Sequence, residues 1–297
     1  MLGFRKAERM AVLPDPSELT QTIAEAAREL CLDTQAIKRS LPDVAADVMS
    51  LCQQAATDAL RIEKSVTRDP FISAQIVSVS NSPMFAPRMP IVSVRDAIVR
   101  IGLSNVNDIV MMVVTSSTMF RIRGFDEHVT RVTSRFPATA LAARLLASAL
   151  RLPVESAFTA GLLHDIGDLI LLDRCVKTNR IRPEMTSEPV FQSVIMDALH
   201  ANHAKVGAAV CTVWKLPAST VEAASHHHEY KLGGHHFSAN LVAAADAFAD
   251  IMGIGVPGKR ICDPAEPVFK DLGLKAEQVT SALDQFGKLL PSVRVFK

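Results

Sequence analysis

Leu163-His164-Asp165-Ile166-Gly167 is the stretch from which the rest of the chain is read. After it come His203, the triplet His226-His227-His228, and Asp246 set among Ala243, Ala244, Ala245 and Phe248. A His beside an Asp, further His, then a lone acid on an apolar helix form an ordered series of nitrogen and oxygen donors. Such a series suits a divalent cation. The bland alternative is a buried polar pair at a helix end, satisfied by the backbone and by an arginine, and for the acid a buried ion pair.

Working outward, nearly every segment reads as helix: Ala is abundant, β-branched alternation is rare, and apolar residues recur at three and four. From Asp15 to about Cys31, Leu19, Ile23, Ala26, Ala27 and Leu30 make one stripe, an N-terminal helix that packs or binds a partner. Leu41-Pro42 opens a helix through Val44, Val48, Leu51 and Ala55. Asp69-Pro70 is a start signal, since Asp caps and Pro at the first helical position loses no bonded N–H. Ile72, Ile76 and Val79 carry that helix to Asn81-Ser82-Pro83, which stops it. Ser93 to Asp96 begins the next in the manner of a capping box, with Ala97, Ile98 and Ile101 inward and Gly102 at its end. Ser104 is expected to cap the following helix, with Val106, Ile109, Val110 and Val113 in the core.

Phe120 to Glu127 reads as a junction. One long helix is expected over Val129–Leu150, kinked or delayed by Pro137. Others are expected near Glu155–His164, Val190–Trp214, Pro217–His228, Ser238–Met252 and Ala276–Leu289. Lys177–Glu188 and Gly233-Gly234-His235-His236 read as loops, and no fixed-period repeat is present.

Composition narrows the function. Apolar residues make up 48% and charged residues 21%, as in an ordinary globular protein. Lys+Arg 32 against Asp+Glu 31 argues against a basic nucleic-acid binder. The helix Asn105 to Met112 after the Gly102 corner has no Arg or Lys to read DNA. The densest apolar run, Ile109 to Val114, is far short of the ~20 residues that span a bilayer. No apolar core follows Met1 to Lys6, so export is not expected. Cys31, Cys52, Cys175, Cys211 and Cys262 are scattered, as thiols of a reducing cytoplasm are.

Together these segments resemble the HD-related output domain family, HDOD, of bacterial signalling proteins. The resemblance runs from about Leu41 to Asp250. It rests on Asp69-Pro70, Asn81-Ser82, Ala97-Ile98 with Ile101-Gly102, and the stretch Gly161 to Gly167. It rests also on His203-Ala204 with Val206-Gly207-Ala208, Trp214 with Leu216-Pro217, and the His triplet before Glu229. It implies an all-helical relative of the HD phosphohydrolases that serves as a regulatory, protein-contacting module.

HD hydrolases hold their cation with an upstream His, a His-Asp pair and a distant Asp. His164, Asp165 and Asp246 match the last three. The upstream position falls on Arg135, which cannot ligate a cation and repels one. His128 lies two turns up the same face, ~10 Å along the axis, too far to substitute. The resemblance also implies that Asp168 replaces the Lys of the active cyclic-dinucleotide phosphodiesterase branch. His203 is either a second cation's ligand or, in the preferred reading, a packing residue. Of the triplet, His227 and His228 match the family's His pair, and at least one of the three is a solvated helix cap.

The expectation is therefore an all-α fold of two packed helical subdomains, the C-terminal one HD-phosphohydrolase-like. Its parts are an extension over 1–40, an N-terminal part over 41–123, and an HD-like part over 124–297 with a C-terminal helix. Function is expected to be regulatory and non-catalytic, through contacts with other signalling proteins in the cytoplasm, compatible with a homodimer and without membrane or nucleic acid. No cofactor is expected, with a divalent metal as the alternative. His164, Asp165, His203, His227, His228 and Asp246 are vestigial donors, and Arg135 stands in for the metal near Asp165 or Asp246. Asp69, Pro70, Asn81 and Ser82 mark the expected docking surface. The alternatives are a divalent-metal phosphohydrolase acting on a nucleotide or cyclic dinucleotide, and a pseudo-enzyme that senses a nucleotide through Arg135.

Overall fold

The structure, a computed structural model, describes residues 15–54, 56–82, 89–116, 120–229, 237–255 and 267–293, and these contain helices and no strand. The expected stop at Pro83, the loop at 233–236 and Cys262 lie outside them.

The N-terminal half runs α1 (Pro16–Leu32), α2 (Thr34–Arg39), α3 (Asp43–Cys52), α4 (Ala59–Val66), α5 (Pro70–Ser80), α6 (Val94–Ile101) and α7 (Leu103–Val114). Local chemistry sets the starts. The Asp69 carboxylate accepts from the Phe71 and Ile72 amides at 2.9 and 3.0 Å, ahead of Pro70. Ser93 Oγ accepts from the Asp96 amide at 3.0 Å and donates to its carboxylate at 2.7 Å, a reciprocal cap. α7 begins at Leu103, so Gly102 occupies the cap position expected for Ser104. Its φ of 79° and ψ of 156° suit glycine alone.

The second half runs α8 (Asp126–Ala149), α9 (Val154–Leu163), α10 (Ile166–Lys177), a 3-10 turn at Pro183–Ser187, α11 (Pro189–Val213), α12 (Ala218–His226), α13 (Phe237–Ile251), α14 (Pro267–Asp271) and α15 (Ala276–Val293). Pro137 lies inside α8 without ending it. α10 was not among the expected helices, because its unbroken run Leu169 to Leu172 carries no helical period.

α1 packs on α10 and α11, and all five of its stripe residues, Leu19 to Leu30, are buried. It is a core helix. The main core runs from Leu19 to Ala224, across the boundary expected at 123. A second cluster joins Ala138 to Ala147 of α8 with α13, α14 and α15.

The two halves are also pinned by charge. Asp108 of α7 lies 2.9 Å from Arg144 of α8 and accepts from Thr159 Oγ1 of α9 at 3.0 Å. The Arg144 guanidinium sits 4.2 Å from the Phe158 ring centre. Burial pushes the Asp108 carboxyl up to about 7, against Arg144 and Thr159.

The four residues expected to mark a docking surface also have places in the fold. Asp69 caps α5, Asn81 clamps the Ile91 amide and carbonyl at 2.9 and 2.8 Å, and Ser82 is buried, while Pro70 and Asn81 are exposed. Among the described residues no single helix is long and apolar enough to cross a membrane.

Candidate metal centre

His164 and Asp165 occupy the turn between α9 and α10, and Gly167 explains how they reach α11. A Cβ at Gly167 would collide with the His203 carbonyl and the Gly207 amide. Only glycine lets α10 begin this close to α11, and that approach brings Asp165 onto His203.

His227, at the end of α12, donates from Nδ1 to the Ala223 carbonyl at 3.0 Å and places Nε2 3.1 Å from Asp165 Oδ1. His203 donates from Nδ1 to the Leu199 carbonyl at 3.3 Å, and its Nε2 lies 3.2 Å from the same oxygen. The His203 Nε2 is also 3.2 Å from His227 Nε2 and 3.0 Å from His228 Nε2. One donor atom from each of Asp165, His203, His227 and His228 thus falls within 4.8 Å of the others. His203, expected to pack, does pack, and its Nε2 also faces Asp165, His227 and His228.

These residues fit a metal. With Nδ1 committed to the backbone in His203 and His227, each Nε2, once its proton is displaced, presents a lone pair. Two lone pairs 3.2 Å apart repel unless a proton or a cation lies between them. Tetrahedral ligands ~2.0–2.1 Å from one ion are themselves roughly 3.3 Å apart. Nδ1 bonded to a carbonyl is also the outer contact that orients a ligating imidazole. Burial opposes ionisation of Asp165, but His164 above all, then His203 and His227, hold it well below the usual carboxylate range. His228 has its outer edge in solvent, yet lost hydration and the neighbouring His227 and His203 push it down to about 3, so its nitrogens are free of charge.

The other half of the expected donor set is arranged differently. Fully buried His164 donates from Nδ1 to the Gly161 carbonyl at 2.9 Å. Its Nε2 is 3.2 Å from Asp165 Oδ2 and 3.7 Å from Asp246 Oδ1, aligned for a hydrogen bond with neither. Burial disfavours its charge, but Asp165 and then Asp246 outweigh that and raise it to about 9. Asp246 itself is held by Arg135. One guanidinium nitrogen lies 2.5 Å from Asp246 Oδ2, and the other lies 2.6 Å from Asp250 Oδ1 and 3.0 Å from the Ile254 carbonyl. Gly255, at φ 74°, closes over this side chain; a Cβ there would be 2.6 Å from Arg135 Cγ. Asp246 thus receives the arginine expected at Asp165 or Asp246, while the sequence reading missed Asp250. Although burial works against the charge, Asp246 and Asp250 keep Arg135 firmly protonated.

His128 turns away from the cation position. Its Nε2 lies 2.5 Å from Asp168, and Arg131 donates to its Nδ1 at 2.7 Å. The departure at Asp168 is thus balanced by a His and an Arg from α8, a pairing that sequence separation hides. His226, half-buried in the last turn of α12, pairs with Glu229 at 3.1 Å.

Comparison with known proteins places this geometry. The family profile for the HDOD domain matches residues 39–230. A protein of Shewanella amazonensis SB2B, provisionally named a phosphohydrolase, is similar in structure. It has a TM-score of 0.63 and 19% identity over 94% of this chain and 98% of that one. A provisionally named signal transduction protein of Marinobacter aquaeolei VT8 is similar at 0.62 and 22%, over 95% and 67%. An uncharacterized protein of Treponema pallidum (strain Nichols) is 21% identical over 169 residues, 55% of this chain; the match takes in about a third of that longer protein, 32%. At such identities the structural likenesses establish the fold. The profile covers well over half of the chain, and the chain belongs to the HDOD family.

Proposed function

We propose that this HDOD protein is a non-catalytic regulator in signal transduction, in which one cation position of a hydrolase-like centre is taken by arginine. The observation that carries the reading is the Arg135 guanidinium bound to both Asp246 and Asp250. A fixed, always-charged fork neutralises these acids and repels a cation from Asp246.

The donor cluster changes the expectation of no cofactor. Asp165, His203, His227 and His228 support retention of one divalent metal, of the kind that imidazoles prefer: zinc, iron, cobalt or nickel rather than magnesium. When bound, such an ion would supply a fixed positive charge and Lewis acidity. The protein's own part is to hold three Nε2 atoms and one carboxylate together through Gly167 and the backbone bonds of His203 and His227. Regulation would run through contacts with other signalling proteins in the cytoplasm, compatible with a homodimer.

The donor cluster also favours a second reading, a metal-dependent phosphohydrolase acting on a nucleotide or cyclic dinucleotide. A nucleotide sensor using Arg135 is the less favoured reading, since both terminal guanidinium nitrogens already contact Asp246 and Asp250. The test is hydrolysis of cyclic dinucleotides and of a generic phosphodiester with manganese or iron. No turnover is expected. Turnover lost in His164→Ala or Asp165→Ala would establish the enzyme instead.

A further inference from the structure

We infer that His200 supplies a fourth imidazole to this metal centre, closing on its solvent side the position that a hydrolase leaves open to water. The inference rests on the single-metal reading and extends it to a residue outside the expected donor set.

His200 stands on α11 one turn before His203, so the two project from the same face. Its ring centre is 4.6 Å from that of His228 and 5.4 Å from that of His203. Imidazoles sharing one metal at ~2.1 Å have ring centres roughly 4.5–5.5 Å apart when the bond angle is about 90–110°. The donors already assigned keep similar spacings, 4.9 Å for His203–His228 and 5.3 Å for His203–His227. His200 is exposed, and its ring makes no hydrogen bond among the described residues. Turning this ring toward the cluster would break no hydrogen bond among the described residues.

The chemical consequence follows from coordination. Structural metal sites are filled by protein ligands, whereas catalytic ones keep a position for water. Four imidazoles and Asp165 make a five-donor set, saturated on the side where solvent and substrate would arrive. The ligand class is a first-row divalent cation, and the role is to tie α10, α11 and α12 together rather than to activate water.

The test uses the full chain, stripped of metal, with cobalt(II) as probe and zinc(II) as competitor. The parent should bind cobalt with the weak visible bands of a five-coordinate ion. His200→Ala and His200→Gln should lower the affinity roughly tenfold or more and shift the spectrum to the stronger bands of a four-coordinate ion. His226→Ala, which removes the histidine bound to Glu229, should change neither. If both His200 variants keep the parent's affinity and spectrum, His200 is not a ligand and the single-metal reading stands without it. If the parent binds neither cobalt nor zinc, the single-metal reading itself fails and takes the His200 assignment with it.

Discussion

Replacing Arg135 by alanine removes the charge on which the non-catalytic reading depends. In the folded protein its side chain is 11% exposed, against 26% for Asp246 and 19% for Asp250. Truncation removes the guanidinium from Asp250 and the Ile254 carbonyl, leaves Asp246 with Thr139 Oγ1 as a neutral donor at 3.1 Å, and opens a gap under Gly255. Breaking a fully buried pair costs about 3–5 kcal/mol. Water reaches the two acids in part, which brings the expected loss down to about 2–4 kcal/mol. For a chain of this size that is a drop of roughly 4–8 °C in melting temperature, readable by calorimetry or urea denaturation. Arg135→Lys keeps the charge but loses the fork, so it should fall between parent and alanine. A loss below about 1 kcal/mol in Arg135→Ala would refute the reasoning, since the guanidinium would then not be compensating buried charge.

Arg135→His should restore an upstream donor and let the protein bind one metal equivalent more than the parent, counted by titration. Gly167→Ala should push α10 off α11 and weaken zinc binding together with stability, seen as a lower melting temperature and a smaller shift on adding zinc. Deleting α1 should leave an aggregating or partly unfolded chain, and Ile23→Ala alone should cost about 2–5 kcal/mol; a stable truncated protein would show that α1 is an appendage after all. Asp108, pushed up to about 7 from 3.8, binds a proton more readily folded than unfolded. The stability it contributes is full below about pH 4 and lost as pH rises through 7. Asp108→Asn should remove this slope, on the order of 1 kcal/mol per pH unit, in denaturation curves at pH 5 to 8; equal slopes in parent and variant would contradict it.

What the sequence discloses here is what local chemistry controls. The α1 stripe, the Asp69-Pro70 start and the reciprocal cap at Ser93 are each legible because spacing and capping act within a few residues. The short helices α2 and α4 offer too few turns to show a period, and α10 has an apolar run without one. In the centre, His164, Asp165 and Asp246 are found by order along the chain, and Arg135 by its position relative to them. The partners that fix its meaning are tertiary. Asp250 lies one helical turn past Asp246, a signal available but unused, since acids at that spacing share a face. The pairing of His128 with Asp168, and of Asp108 with Arg144, joins residues of separate helices and left no mark in any local pattern. His200 could have been noticed one turn before His203, but a His three residues from another is common on a solvated helix.

The most direct test of the account is the metal content of the full-length parent protein, saturated with zinc, freed of excess and measured by elemental analysis. One ion per chain is predicted, held by Asp165, His203, His227 and His228 while Arg135 keeps Asp246. Two ions per chain would show that the guanidinium does not exclude a cation from the second position, and would contradict the claim that the arginine has replaced one.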